Sequence, residues 1–138
     1  MDVESPIEVG ETGDGKRRSI PILGGTVTGR CEGTVLEAGA DYQLYRKRRP
    51  TELGAKYAFE TTDGSRVYVE NWGIRVAAPE TKQRLRDGEP VESEDVYFCS
   101  VPEFGTPDPD LQWLEENVFV AAGIRQPNGV RLAVYQAG

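Results

Sequence analysis

Along most of the chain apolar and polar positions alternate in short runs, each ended by turn residues. Thr- and Val-rich runs cover Gly24 to Arg30 and Cys31 to Glu37, cut by Gly29, Gly33 and Gly39. Asp41 to Arg46 alternates polar and apolar, and Ala55 to Thr61 and Arg66 to Val76 are further such stretches on either side of Asp63-Gly64. An Asp-Gly pair between two such runs is a strong hairpin signal, because Gly accepts the positive φ of a primed turn. Asn128-Gly129 repeats the device between Val118–Gln126 and Val130–Gln136. The pattern predicts at least seven strands in an antiparallel meander. One α-helix is predicted over Pro79–Arg86, with Pro79 and Glu80 in its first turn and Arg84 and Arg86 in its last, before Gly88. A further helical turn is predicted from Asp110 to Glu115, with Asp110 as its N-cap.

A meander must hide its edges, and closure into a barrel does so. The expected fold is therefore all-β, one domain over residues 1–138, with one or two short helices. Around eight strands leave an interior that side chains fill, or that holds one small ligand.

Charge narrows the possible partners. Sixteen basic residues face 23 acidic ones, for a net charge of −7. That argues against a nucleic-acid partner and against an anionic membrane surface. Eleven acids against three bases fall between Pro79 and Asn117, which reads as a solvated face. There is no histidine, so no Ser-His-Asp triad, Cys-His pair or His-ligated metal can be built, and neither a metal nor a cofactor is expected. Cys31 and Cys99 match no zinc or CxxC spacing and no disulfide is expected. No signal peptide is visible, and the longest apolar run is Val118 to Ile124, so the expectation is a cytoplasmic protein. Gly10 to Lys16 superficially matches a phosphate-binding loop, but Arg17 stands where a Mg²⁺-reaching Ser or Thr is needed; the segment reads as a hairpin tip. Arg46 to Arg49 reads as a solvated turn.

The polar residues of interest lie inside strand patterns. Period-two alternation puts Val67, Val69, Asn71, Gly73 and Arg75 on one face, with Asn71 and Arg75 as polar intruders. Asp41 shares a face with Gln43 and Tyr45, Tyr57 with Phe59, and Tyr97 with Cys99 and Val101. Such groups form either a mutually satisfied structural cluster or a convergent set in a ligand cavity. Trp113 suits either the core or an aromatic wall.

Ile7-Glu-Val-Gly10, Ile20-Pro-Ile-Leu-Gly-Gly25-Thr, Gly33-Thr-Val-Leu and Gly39-Ala-Asp-Tyr-Gln43 together resemble the DUF3237 family, also called UPF0311. Thr62-Asp-Gly, Asn71-Trp-Gly-Ile-Arg75, Tyr97-Phe98, Pro102-Glu-Phe104, Trp113-Leu114, Phe119-Val120 and Val134-Tyr135 extend the resemblance to the C-terminus. It implies a lipocalin/calycin-like barrel, and places Asp41, Asn71, Arg75, Tyr97 and Trp113 around its cavity. The chain departs from the pattern at Cys99, at Gly105 and at Glu115-Glu116. Those departures remove positive charge near the expected mouth and count against an anionic ligand.

Three functions follow. The first is a cofactor-independent acid–base enzyme of isomerase, cyclase or hydratase/lyase type, acting on a small apolar aromatic or polyketide-like molecule. Asp41 would be its base, Tyr97 its proton donor, Asn71 and Arg75 its oxyanion stabilisers, and Tyr57, Phe59 and Trp113 its apolar wall. The second is a barrel that binds a small hydrophobic molecule without changing it. The third is a filled barrel working through a protein interface, for which outward aromatics such as Tyr68 and Trp72 would suit a homodimer.

Overall fold

A computed structural model describes residues 1–138. Nine strands follow one another: β1 (Asp2–Val3), β2 (Ile7–Thr12), β3 (Gly15–Val27), β4 (Gly33–Tyr45), β5 (Thr51–Thr61), β6 (Arg66–Ala77), β7 (Val96–Gly105), β8 (Phe119–Gln126) and β9 (Gly129–Gln136). All neighbours pair antiparallel, from β2 through to β9 in chain order. The two residues of β1 then bridge the ends, pairing with β3 on one side and β9 on the other. Eight strands thus close into a barrel, and β2 is an extra hairpin arm on β3.

Two runs expected as separate short strands are parts of longer ones. Gly25 (φ 146°) and Gly39 (φ 126°) mark β-bulges within β3 and β4, where the register shifts, and the turn between the strands lies at 28–32. Long strands wrapping a narrow barrel must coil sharply, and a bulge supplies the bend; the one at Gly39 lies where the sequence suggested a break between runs. The two Gly-containing hairpins fall where expected, as does α1 (Pro79–Arg86), which docks Leu85 against one end of the barrel. At the other end a 3-10 turn spans Pro109–Leu114, capped by Asp108 and not by Asp110: the Asp108 side chain accepts from the Asp110 N–H. Asp108 precedes Pro109, which suits N1, and this places the cap two residues earlier than expected. No helix is long and apolar enough to cross a membrane.

The apolar core sits at the Trp113 end, where Ile22, Val35, Phe59, Val67, Val69, Leu114 and Phe119 pack together. Toward α1 the interior becomes polar. Of the 22 buried residues six are polar or charged, and three of these, Arg18, Gln43 and Arg75, lie toward that end. The barrel is therefore not a uniformly apolar plug.

Closure depends on room for β1. Met1 O accepts from the Val130 N–H at 2.9 Å, and the Val3 N–H donates to Asn128 O at 3.1 Å. A Cβ at Gly129 would collide with the Met1 carbonyl, whereas one at Gly13 meets nothing within 4 Å. Gly129→Ala is expected to lose about 1–3 kcal/mol of stability, the usual range for overpacking. Gly13→Ala should stay within about 0.5 kcal/mol of the parent. Urea unfolding of both variants checks this.

Candidate functional site

The interior holds two chambers. The one beneath α1 has a volume of about 250 Å³, and its wall includes Arg18, Asp41, Gln43, Arg75, Phe98 and Arg125. The other, at the Trp113 end, has about 330 Å³ and is lined by Tyr57, Phe59, Asn71, Phe104, Trp113 and Phe119 with other apolar side chains. Strand register puts residues of both chambers on one row. Asp41 pairs with Ala55, Ala55 with Asn71 and Asn71 with Pro102, so all four lie on one inward-facing row across β4 to β7. Asp41 and Asn71 flank Ala55 in that row, about 10 Å apart by two inter-strand spacings. One opens to each chamber.

In the α1 chamber the polar side chains form a chain of hydrogen bonds. Arg75 Nη2 donates to Tyr45 Oη at 2.8 Å, Tyr45 Oη donates to Gln43 Oε1 at 3.0 Å, and Gln43 Nε2 donates to Asp41 Oδ2 at 2.9 Å. Asp41 Oδ1 is buried and makes no hydrogen bond of normal geometry, although the Gly54 N–H is near enough to act on the carboxyl. Burial pushes the Asp41 carboxyl above its ordinary pKa, against the lowering effects of Gln43, Arg75, the Gly54 N–H and Arg18. The five ion pairs of the chain include neither Asp41 nor Arg75, so the two do not form a salt bridge.

Cations crowd this end. The Arg18, Arg75 and Arg86 guanidinium carbons lie 5.6, 6.0 and 5.1 Å from the Tyr45 ring centroid. Burial lowers the Arg125 pKa, and repulsion from Arg75 and Arg18 lowers it further. Lys82 is lowered by burial, then by Arg86 and Arg75. Backbone carbonyls near the C-terminal end of α1 take part of the load, since Arg18 Nη1 donates to Arg86 O at 3.1 Å and Arg125 Nη1 to Glu89 O at 3.1 Å.

The aromatic chamber differs in character. Phe104 and Phe119 meet edge to face with centroids 5.2 Å apart, and Trp113 lies 6.1 Å from Phe119. Burial pushes the Tyr57 hydroxyl up to about 12, so it stays protonated. Asn71 Oδ1 is buried without a partner. At the rim the Arg30 guanidinium stacks 3.8 Å from the Trp113 ring and donates to Gln136 Oε1 at 3.1 Å.

Six of the seven residues singled out from the sequence line the interior: Asp41 and Arg75 in one chamber, Tyr57, Phe59, Asn71 and Trp113 in the other. Tyr97 does not. It is 57% exposed, and with Trp72 and Tyr135 it lines a groove on the outer wall. The register that pairs Arg75 with Phe98 turns Phe98, Ser100 and Pro102 inward and Tyr97, Cys99 and Val101 outward. A proton donor for the interior cannot be Tyr97. The same parity takes Cys99 out of the cavity, and Glu115 Oε1 is occupied by the Thr106 N–H at 3.0 Å. None of the departures from the family pattern, at Cys99, Gly105 or Glu115-Glu116, lines the cationic chamber. Arg18 and Arg125 were not among the residues singled out, and Tyr45 was noted only as sharing a face with Asp41. Their signal is the same alternation, through Arg18-x-Ile20-x-Ile22, Asp41-x-Gln43-x-Tyr45 and Phe119-x-Ala121-x-Gly123-x-Arg125.

The family described as "Protein of unknown function (DUF3237)" matches residues 1–137. A UPF0311 protein of Bradyrhizobium diazoefficiens is 49% identical over 130 residues, covering 94% of this chain and 86% of that protein. A UPF0311 protein of Clostridium acetobutylicum is 37% identical over 138 residues, covering 99% and 87%. Among solved structures, a conserved protein of unknown function from Rhodopseudomonas palustris superposes with a TM-score of 0.93 at 46% identity, over 98% of this chain and 90% of that one. A β-barrel-like protein from Acinetobacter baumannii superposes at 0.83 with 34% identity, over 98% and 89%.

The raised Asp41 pKa sets a pH dependence of stability. Below the unfolded value of about 3.9 both states are protonated, and the cost of burying the charge is absent. That cost grows as the pH rises from there through the folded pKa. Asp41→Asn cannot ionise, so it is expected to be more stable than the parent at pH 7, with the gain narrowing toward pH 4. Urea midpoints measured across that range check the direction.

Proposed function

The chain belongs to the DUF3237 family, also called UPF0311, whose description leaves its activity open, and we propose that its barrel is an acid–base enzyme working without a cofactor in the chamber beneath α1. The observation that carries the reading is Asp41: a buried carboxylate with one free oxygen, held by Gln43 and not ion-paired to the arginines around it. A carboxylate in a structural pair is neutralised by its partner and is a weak base. One raised by burial takes a proton more readily and still faces cations that stabilise a developing oxyanion.

The step is proton transfer. Asp41 takes a proton from a carbon next to a carbonyl, the C–H electron pair moves into the carbon–carbon bond being formed, and the carbonyl π pair moves to oxygen. The resulting enolate is held by the Arg75 guanidinium. Return of the proton at another carbon gives an isomer; loss of a β-leaving group gives an elimination product. The substrate is a small molecule, since the chamber holds about 250 Å³.

The test is exchange of C–H for C–D, read by NMR on small carbonyl compounds incubated with the protein in D₂O. Parent protein is expected to catalyse exchange, and Asp41→Asn to lose roughly 10²- to 10⁴-fold, the usual contribution of a positioned base. Exchange within a few-fold in Asp41→Asn removes Asp41 as the base. The rate should fall on the acid side with a midpoint above the ordinary carboxylate value of about 3.9, because only ionised Asp41 accepts a proton.

The aromatic chamber supports a second reading, binding of a small apolar molecule without reaction. Its walls are apolar, and the unpartnered Asn71 Oδ1 is the kind of single polar group that fixes a ligand's orientation. Trp72 is on the outer wall, so a Trp72→Phe variant leaves Trp113 as the only indole. Saturable quenching of that variant by an aromatic ligand, weakened by Asn71→Leu, is the expected result. Quenching without saturation would speak against it.

A further inference from the structure

Arg75 is 7% exposed and its only side-chain hydrogen bond goes to a neutral hydroxyl, that of Tyr45. Arg125 has no carboxylate partner and donates to a backbone carbonyl. Arg18, also 7% exposed, keeps its Nε buried without a partner, while its Nη1 reaches Arg86 O and, at 3.5 Å, Glu8 Oε1. All three line the chamber beneath α1, whose other charged side chains are Asp41 and Glu4. A guanidinium taken out of water without a counter-ion is costly. Arg75 is in that position, while Arg18 has only the long contact to the exposed Glu8 and Arg125 is half-buried with no carboxylate. A further negative charge in the void would offset the cost. The helix carbonyls and the Tyr45 ring do so in part. Most of the N–H donors around the void remain free, and each guanidinium presents them in a planar fork that matches a carboxylate.

We propose that this chamber binds a small monocarboxylate, its carboxylate seated on Arg18, Arg75 and Arg125 and the rest of the molecule directed toward the free oxygen of Asp41. Three guanidinium groups and the Met1 ammonium against two carboxylates leave the wall net positive, which suits an anion. A second anionic charge would face Asp41 and Glu4. The proposal rests on the reading of Asp41 as a base in the same chamber and names the substrate class that base meets: carboxylic acids with an acidic C–H.

The test is calorimetric titration of the intact protein, at low ionic strength, with acetate, benzoate and inorganic phosphate. Saturable binding of a monocarboxylate is expected. Arg125→Gln should weaken it roughly 10- to 100-fold, the range for losing a charge-assisted contact. Arg75→Lys, which keeps the charge and loses the fork, should weaken it less, and should remain folded if the arginine is also structural. Arg131→Gln removes the same charge from an exposed position on β9, outside the chamber, and should leave the affinity unchanged. Asp41→Asn should bind as tightly or more tightly. Absence of saturable binding overturns the proposal, as do equal losses in Arg125→Gln and Arg131→Gln, or binding of phosphate alone. Binding is read without turnover, so the two ideas fail separately. Carboxylate binding with Asp41-independent exchange would sink the enzyme and keep this site; Asp41-dependent exchange without carboxylate binding would do the reverse.

Discussion

Everything inside this molecule depends on a seam two residues long. Seven strands of the meander form a curled sheet with two open edges, and only the pairing of β1 with both β3 and β9 joins them. Gly129 on one side and Gly25 on the other give the segment room, because a side chain at either would strike Met1. An open sheet would let water reach every inward side chain. The raised pKa of Asp41 and of Tyr57, both caused first by burial, are thus consequences of the seam as much as of their own neighbours.

Within the closed wall the two chambers divide the chemistry. The aromatic end is dominated by dispersion and shape, the α1 end by charge. Tyr45 stands at the centre of the latter. Its ring faces three guanidinium groups, and its hydroxyl links Arg75 to Gln43 and so to Asp41. Positive charge and carboxylate are connected through two neutral groups instead of meeting directly. A direct pair would fix Asp41 as an ionised structural element; with the relay between them, burial is the larger influence on its carboxyl.

Much of the fold was legible because local chemistry and global architecture agree. Asp63-Gly64 and Asn128-Gly129 make hairpins, Pro79–Arg86 makes the helix, and the face of β6 carrying Asn71 and Arg75 points inward. Tyr97 shows where such reasoning stops. Both faces of β7 carry large apolar or aromatic residues, Tyr97 and Val101 on one, Phe98 and Phe104 on the other, so alternation alone cannot say which is inside. The answer lies in the register with β6, a long-range property. The same limit hid the separation of Asp41 from Asn71. They share a row, but whether they share a space depends on how side chains from strands distant in sequence meet across the barrel. The bulge at Gly39 in β4 was read as a break in the strand because a bulge and a turn use the same glycine.

The two ends also differ in how they are shut. Over the aromatic chamber the Arg30 guanidinium lies on Trp113, tied to Gln136, and these are rim side chains whose rotamer changes are picosecond-to-nanosecond events. Over the charged chamber sits α1, anchored by buried Leu85 and by Lys82, whose ammonium donates to the carbonyls of Arg46 and Arg49. Lifting it means moving a whole element, a motion of microseconds to milliseconds. The covers of the two ends therefore differ in kind: side-chain rotamers at the Trp113 rim, and a whole backbone element beside Asp41.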